Sequence, residues 1–162
     1  MQKFWNSLPI WAKGVIAIAT LVILVIVAIS LVKAFRASRD IANQKAESDK
    51  AQQQLSTLAS SGVYPTFTSA DAEAKCNSLL EAAASCDTWE QGATVITGII
   101  YGLQNAADWY LLNSTFGVRT WDDCGWWTGD VTGSLTTLLT NELGSGQMAE
   151  MRRHLGQFGV SI

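Results

Sequence analysis

The chain has 162 residues, which is enough for one domain of ordinary size and an appendage. Its formal net charge of −3 conceals a split, because residues 1–50 carry a net charge of +4 and residues 51–162 a net charge of −7. The acidic distal part has too few cations for clustered phosphate contacts, which argues against nucleic-acid binding there. Its four cationic side chains are Lys75, Arg119, Arg152 and Arg153.

An uncharged run of nineteen residues extends from Gly14 to Val32. As a helix it would be roughly 28 Å long, which matches the hydrocarbon core of a bilayer. Lys13 and Lys33 bracket the run, and Trp11 precedes it, where interfacial aromatic side chains are favoured. A cleavable signal peptide would have a shorter apolar part and would end in small residues, whereas Lys33 follows here at once. We therefore predict a single-pass transmembrane helix, with the lipid bilayer as its partner.

The predicted organisation has three parts: an N-terminal flank and transmembrane helix (1–33), a polar stalk (34–61) and an acidic domain (62–162). The stalk contains no Gly or Pro and is rich in Ala, Gln and Lys, which predicts a helix that continues from the anchor. Its sparse seven-residue apolar stripe leaves two interpretations open, a solvated single helix and a coiled coil. Gly62 and Pro65 then end the helix.

Capping residues and a 3.6-residue apolar period predict five short helices in the distal domain. No strand-like alternation of useful length is present. The predicted N-terminal residues of the helices are Thr68 or Ser69 (with Asp71 in the first turn), Asp87 or Thr88, Asn105 (with Asp108), Asp130 and Ser145. The predicted fold class is therefore all-α: an N-terminal transmembrane helix continuing into a helical stalk, then a compact five-helix domain.

Two strings of the distal domain, YLLNSTFGVR and LTTLLTNELGSGQMAEMRRHLGQFGVSI, resemble an annexin-type repeat over residues 68–158. The resemblance implies two antiparallel helix pairs bridged by a crosswise third helix. It also implies a small membrane-anchored protein of bacteria or their phages, in a bacterial inner membrane or a virion internal membrane. Annexin calcium sites use a glycine-rich G-x-G-T turn, whereas this chain has A-S-C-D-T-W at that place. Calcium-dependent lipid binding is therefore not expected.

Residues 120–130 read TWDDCGWWTGD and form the most unusual stretch of the chain. The spacing of the acids excludes an EF-hand and implies no glycosidase pair, so we interpret them as loop residues, with Asp130 as a helix N-cap. The tryptophans have three open interpretations: stacking on a sugar, contact with a partner, or packing over the core. The candidate partner or ligand contacts are Trp121, Asp122, Asp123, Trp126 and Trp127.

The three cysteines are Cys76, Cys86 and Cys124. Cys76 and Cys86 would be about 15 Å apart on one helix, too far for a disulfide. A disulfide between Cys124 and either Cys86 or Cys76 would fasten the Trp-rich run to the first helix in an oxidising compartment. Free buried thiols are equally consistent with the pattern.

The remaining candidates are single polar residues. His154 lies beside Arg152 and Arg153, and without zinc-site or triad partners it is interpreted as part of a solvated helix face. Arg119 is expected to form a structural salt bridge with an acid such as Asp108 or Glu142.

The sequence contains no recognised catalytic, cofactor-binding or metal-binding constellation. We therefore predict a non-enzymatic protein that displays an acidic helical interaction domain for a protein partner or for self-association. A minor structural component of a virion membrane or a bacterial envelope assembly is the expected role. The alternative is an envelope glycan-binding or lysis-related protein that uses the Trp-rich run.

Overall fold

The computed structural model describes residues 9–85, 89–122 and 129–162, without the side chains of 10–21, 33–37, 89 and 90. The described chain is mostly helical, as the apolar periodicity predicted. In chain order its elements are α1 (Ile10–Ser60), α2 (Ser69–Ala83), α3 (Trp89–Tyr101), α4 (Ala106–Phe116), β1 (Arg119–Asp122), β2 (Asp130–Gly133), α5 (Leu135–Glu142) and α6 (Ser145–Gly156).

The first helix, α1, is continuous over 51 residues and ends at Ser60. The predicted end of this helix is confirmed. Gly62 follows with φ at +84°, a left-handed conformation that glycine adopts without steric cost, and Pro65 lacks the N–H that a helix interior needs.

The described residues include no helix that is both long enough and apolar enough to cross a membrane. This finding contradicts the transmembrane helix predicted from Gly14 onward and the membrane localisation inferred from it. Three side chains expected to border that helix lie outside the described ones: Trp11, Lys13 and Lys33.

The contacts divide the chain into two compact units, residues 1–40 and 41–162. The sequence had placed its divisions after residues 33 and 61. In the second unit, residues 41–60 of α1 pack on the helices that follow, and Ala51 is only 2% exposed there. The end of the predicted stalk is therefore part of the compact distal unit.

A two-stranded antiparallel hairpin follows α4, so the all-α prediction is wrong. Its register pairs Arg119 with Gly133 and Asp122 with Asp130. Asp130, which was expected to cap a helix, lies in β2. Ser134 is the N-cap of α5 instead, and its hydroxyl accepts a hydrogen bond from the first turn of that helix.

The side chains of the hairpin explain why these residues form strands. Thr120 faces Thr132, with hydroxyl oxygens 2.8 Å apart, and Trp121 faces Val131. Cross-strand pairs of β-branched and aromatic residues stabilise a hairpin. Each strand has only four residues, which is too short for their alternation to be recognised in the sequence.

Two predicted helix starts are confirmed by their hydrogen bonds. Thr68 Oγ1 accepts from the Asp71 N–H at 3.2 Å, and Asp71 Oδ2 accepts from the Thr68 N–H at 3.0 Å, a reciprocal capping box. These bonds, first that from the Thr68 backbone, lower the pKa of Asp71 below its ordinary value. Asn105 caps α4 by accepting from the Asp108 N–H at 3.0 Å.

The core lies where α2 to α6 meet, and β1 contributes an indole ring to it. α3 approaches α2 closely at Gly92, where an added Cβ would lie 2.6 Å from the Ala82 carbonyl oxygen. The largest fully buried apolar side chains are Trp109, Phe116, Leu79, Ile96, Ile100, Leu112, Leu135, Leu138, Leu139, Met151 and Leu155. This core fixes the elements that carry the sites described next.

Candidate functional site

The Trp-rich run lies partly in the hairpin and partly outside the described residues. Trp121 is 3% exposed in the core, and its indole N–H donates to Glu142 Oε1 at 3.3 Å. Asp122 is exposed at the end of β1. Of the three interpretations of the tryptophans, the position of Trp121 corresponds to packing over the core. The following candidates lie outside the described residues: Asp123, Trp126, Trp127, Cys86 and Cys124.

Cys76 is a free, fully buried thiol on α2. Its Sγ lies 3.8 Å from the Leu112 carbonyl oxygen, to which the thiol donates. Burial raises the pKa of this thiol to about 11, because the thiolate would lose its hydration. Cys76 therefore has the character of a core residue and is not a disulfide partner.

Arg119 joins the end of α4 to α2. Its Nη2 lies 2.6 Å from Glu73 Oε2, and its guanidinium also donates to the carbonyl oxygens of Phe116 at 3.0 Å and Thr115 at 3.1 Å. The hydrogen bond from Arg119 lowers the pKa of Glu73 below its ordinary value. The ion pair is thus formed with neither of the acids that the sequence suggested.

Asp108 is fully buried at the start of α4, and its carboxylate is saturated by hydrogen bonds. Oδ1 accepts from the Thr66 N–H at 2.6 Å, and Oδ2 accepts from the Gln104 N–H at 2.8 Å and from the Thr66 hydroxyl at 2.9 Å. This carboxylate fastens the segment before α2 to the start of α4, so its role is structural.

An open cleft of about 420 Å³ lies in the second unit, between the end of α1 and the start of α4. Its wall combines aromatic surface with charged and amide side chains, which is the usual make-up of a binding site. The lining residues are Glu47, Lys50, Ala51, Gln54, Trp109, Tyr110, Asn113, Thr136, Gly159, Ser161 and Ile162. We take this cleft as the candidate functional site.

Glu47 is the acidic group of the cleft, and its carboxylate bridges three elements. It accepts from the Ser134 hydroxyl at 3.0 Å, from the Thr136 hydroxyl, and from the Asn113 side-chain amide at 3.5 Å. α1 is thereby attached to both α4 and α5. Because the hydroxyl protons of Ser134 and Thr136 are directed to Glu47, they are not available to a ligand.

Asn113 is one of the residues that line the cleft, and it is only 4% exposed. No hydrogen-bond donor among the described residues reaches its side-chain oxygen, Oδ1. The carboxylate of Glu47 determines the orientation of this amide, because a flipped side chain would turn its oxygen toward the negative oxygens of Glu47. An unpaired acceptor buried in this way costs free energy until a donor satisfies it.

Two further side chains of α1, on either side of Glu47 in the sequence, form hydrogen bonds with the domain. Gln44 Nε2 donates to Thr137 Oγ1 at 3.4 Å, and the Ser48 hydroxyl donates to the Ser114 carbonyl oxygen at 3.3 Å. Within the described ranges Gln44 Oε1 is buried without a hydrogen-bond partner. On this side of α1, two side chains thus donate hydrogen bonds to the domain, and one acceptor, Gln44 Oε1, stays unpaired within the described part of the chain.

His154 lies on α6 between two aromatic rings. Its ring is 5.2 Å, edge to face, from both Tyr101 and Phe158. Among the described residues no partner reaches its buried Nε2 atom. A shallow pocket of about 230 Å³ beside it also involves Glu150 and Arg153. His154 is thus partly packed, rather than part of the solvated helix face expected from the sequence.

Comparison with family models, with curated proteins and with solved structures finds no match to this chain. Within the described ranges no group of three or more His, Cys, Asp and Glu side chains is placed to hold a metal ion.

Sequence reasoning missed Glu47 and Asn113, which lie 66 positions apart in the chain. A partial signal was present, since the stripe through Ala51 and Leu58 on α1 follows helical spacing. That stripe indicates that this side of the helix is covered, but it does not identify the covering surface.

Proposed function

We propose that residues 41–162 form a non-enzymatic interaction domain that holds a segment of a partner protein in the cleft between α1 and α4. The observation that carries this proposal is the cleft itself, whose wall includes a half-buried carboxylate and a half-buried aromatic ring. Tyr110 supplies the aromatic surface, while Glu47 and Thr136 supply polar groups that would set the orientation of a bound chain.

The chemistry of the cleft favours binding over catalysis. The carboxylate of Glu47 is held by hydrogen bonds from Ser134 and Thr136, which use it to join α1 to α5. The net charge of −7 over residues 51–162 favours encounter with basic partners and disfavours acidic ones. A structural role in a larger assembly and the resemblance to an annexin repeat stay predictions, and the proposal uses neither.

The test is a selection of ligands from a random peptide library on the full chain, followed by two variants on one helix. Gln54 lines the cleft, whereas Gln52 is exposed on α1 and does not line it. We expect Gln54→Trp to fill the cleft and to weaken the selected peptides by about tenfold or more, about 1.4 kcal/mol. Gln52→Trp should leave their affinity unchanged.

Two results would contradict the proposal. The first is a library that yields no peptide binding the folded chain. The second is a set of peptides that bind both tryptophan variants as tightly as they bind the wild type.

A further inference from the structure

We propose that the cleft recognises a cationic side chain, arginine or lysine, of the partner segment. This inference rests on the proposed function, because it names the chemistry that the same cleft accepts. The reason is that hydrogen-bond donors of the wall are already directed to Glu47, so the wall offers mainly acceptors and negative charge to a ligand.

The wall of the cleft presents acceptors on the side of Glu47 and Asn113. The hydroxyl of Thr136 and the side-chain N–H₂ group of Asn113 both direct a proton to the Glu47 carboxylate. What these groups offer to a ligand is the hydroxyl lone pairs of Thr136 and the negative charge of Glu47, both of which are only half-buried. A ligand group that complements this surface carries several N–H donors and a positive charge, as guanidinium and ammonium do.

The aromatic surface of the cleft suits the same ligand. The half-buried Tyr110 lines it, and a cation over an aromatic face gains energy from the ring quadrupole. An arginine side chain would thus place its planar group near the acceptors and its methylene stem against the ring of Tyr110. The acidic charge of the domain adds long-range attraction.

Lys50 is the one cation among the residues that line the described cleft, and it lies three residues after Glu47 on α1. Among the described residues there is no ion pair between Lys50 and Glu47. The positive charge of the Lys50 ammonium repels a cationic ligand. Its removal should therefore strengthen cation binding, which a merely apolar cleft would not show.

The experiment titrates the full chain with N-acetyl-arginine amide and with N-acetyl-citrulline amide, the neutral isostere, by two-dimensional NMR. We expect the arginine probe to shift the Asn113 side-chain amide and the Trp109 indole signals saturably. Its Kd should be at least about tenfold lower than that of citrulline, as expected for a charge-assisted contact.

Matched variants then identify the groups responsible. Glu47→Gln should remove the preference for arginine over citrulline, whereas Lys50→Gln should lower the Kd of arginine severalfold. Lys45→Gln is the control, because Lys45 is exposed on the same helix and does not line the cleft. If Glu47→Gln does not fold, the comparison of Lys50→Gln with Lys45→Gln decides the question.

Equal affinities for arginine and citrulline would overturn the inference, as would identical effects of Lys50→Gln and Lys45→Gln. Library peptides that bind in the cleft without arginine or lysine would overturn it while supporting the proposed function. The absence of any cleft-dependent peptide would overturn both.

Discussion

Two polar side chains, the buried Asp108 and the half-buried Glu47, hold distant parts of this chain together. Asp108 joins the segment before α2 to α4, and Glu47 joins α1 to α4 and α5. In each case the acceptor oxygens bond to several donors that would otherwise lack partners away from water. Substitutions at such positions have large effects, because a buried group without its partner loses hydration that nothing replaces.

Replacement of Asp108 by Asn tests this at one residue. The amide keeps the size of the carboxylate but turns an N–H₂ group toward the backbone N–H of either Thr66 or Gln104. We expect Asp108→Asn to lower the free energy of unfolding by about 2–3 kcal/mol in urea denaturation. Asp49→Asn, on the exposed side of α1, should leave it unchanged, and equal effects of the two variants would contradict this account.

The ion pair between Glu73 and Arg119 makes stability depend on pH. The pKa of Glu73 is lowered from 4.5 in the folded chain, so the stabilisation is fully present above the unfolded pKa and is lost as the pH falls through the folded value. Thermal melts at decreasing pH should show a smaller loss below pH 4.5 in Glu73→Gln than in the wild type. Glu81→Gln, an exposed control on α2, should retain the wild-type slope.

The Cys76 thiol should be inert in the folded chain. Its pKa of about 11 leaves little thiolate at neutral pH, and its side chain is fully buried. In the Cys86→Ser, Cys124→Ser variant, Cys76 is the only cysteine left, and we expect a thiol reagent to label it only after denaturation. Rapid labelling under native conditions would show that α2 opens locally.

At the scale of elements, α2 and α3 pack closely at one glycine. A Cβ at Gly92 would lie 2.6 Å from the Ala82 carbonyl oxygen, whereas a Cβ at Gly98 would meet nothing within 4 Å. Both glycines lie in α3, so alanine at either position gains the same helix propensity. The two variants therefore differ only in how much room the added methyl group has.

We expect Gly92→Ala to destabilise the fold by about 1–3 kcal/mol through overpacking. Gly98→Ala should stabilise it by up to about 1 kcal/mol, because alanine is the better helix former. Chemical denaturation of the two variants measures both values. A stabilising Gly92→Ala would show that α2 and α3 are not held as closely as the structure has them.

At the scale of the whole molecule, the compact unit begins at Ile41. Removal of residues 1–61 would strip Glu47 from Asn113 and Ser134, which are both buried, and would uncover the surface beneath Ala51. A chain of residues 62–162 should therefore be less stable than residues 41–162 by about 2–4 kcal/mol in urea. Equal stabilities would place the boundary at Ser61, where the sequence analysis put it.

Local interactions explain which features could be predicted from the sequence. Three features depend only on residues within about four positions: the caps at Thr68 and Asn105 and the end of α1 at Ser60. They can therefore be recognised from the sequence alone. The hairpin was missed, because its strands are short and each depends on a partner that lies at the other end of the Trp-rich run. The nineteen-residue uncharged run predicted a membrane span that the described residues do not provide.

The sequence by itself determined the helical character of the chain, the caps of its helices and the acidity of its distal part. Only the tertiary structure decided that Arg119 pairs with Glu73, that Trp121 is buried, and that Glu47 meets Ser134 across 87 positions. The physical reason is that many acceptors compete for each donor along a chain. The packing of the core decides which acceptor each donor reaches. It thereby also forms the cleft between α1 and α4.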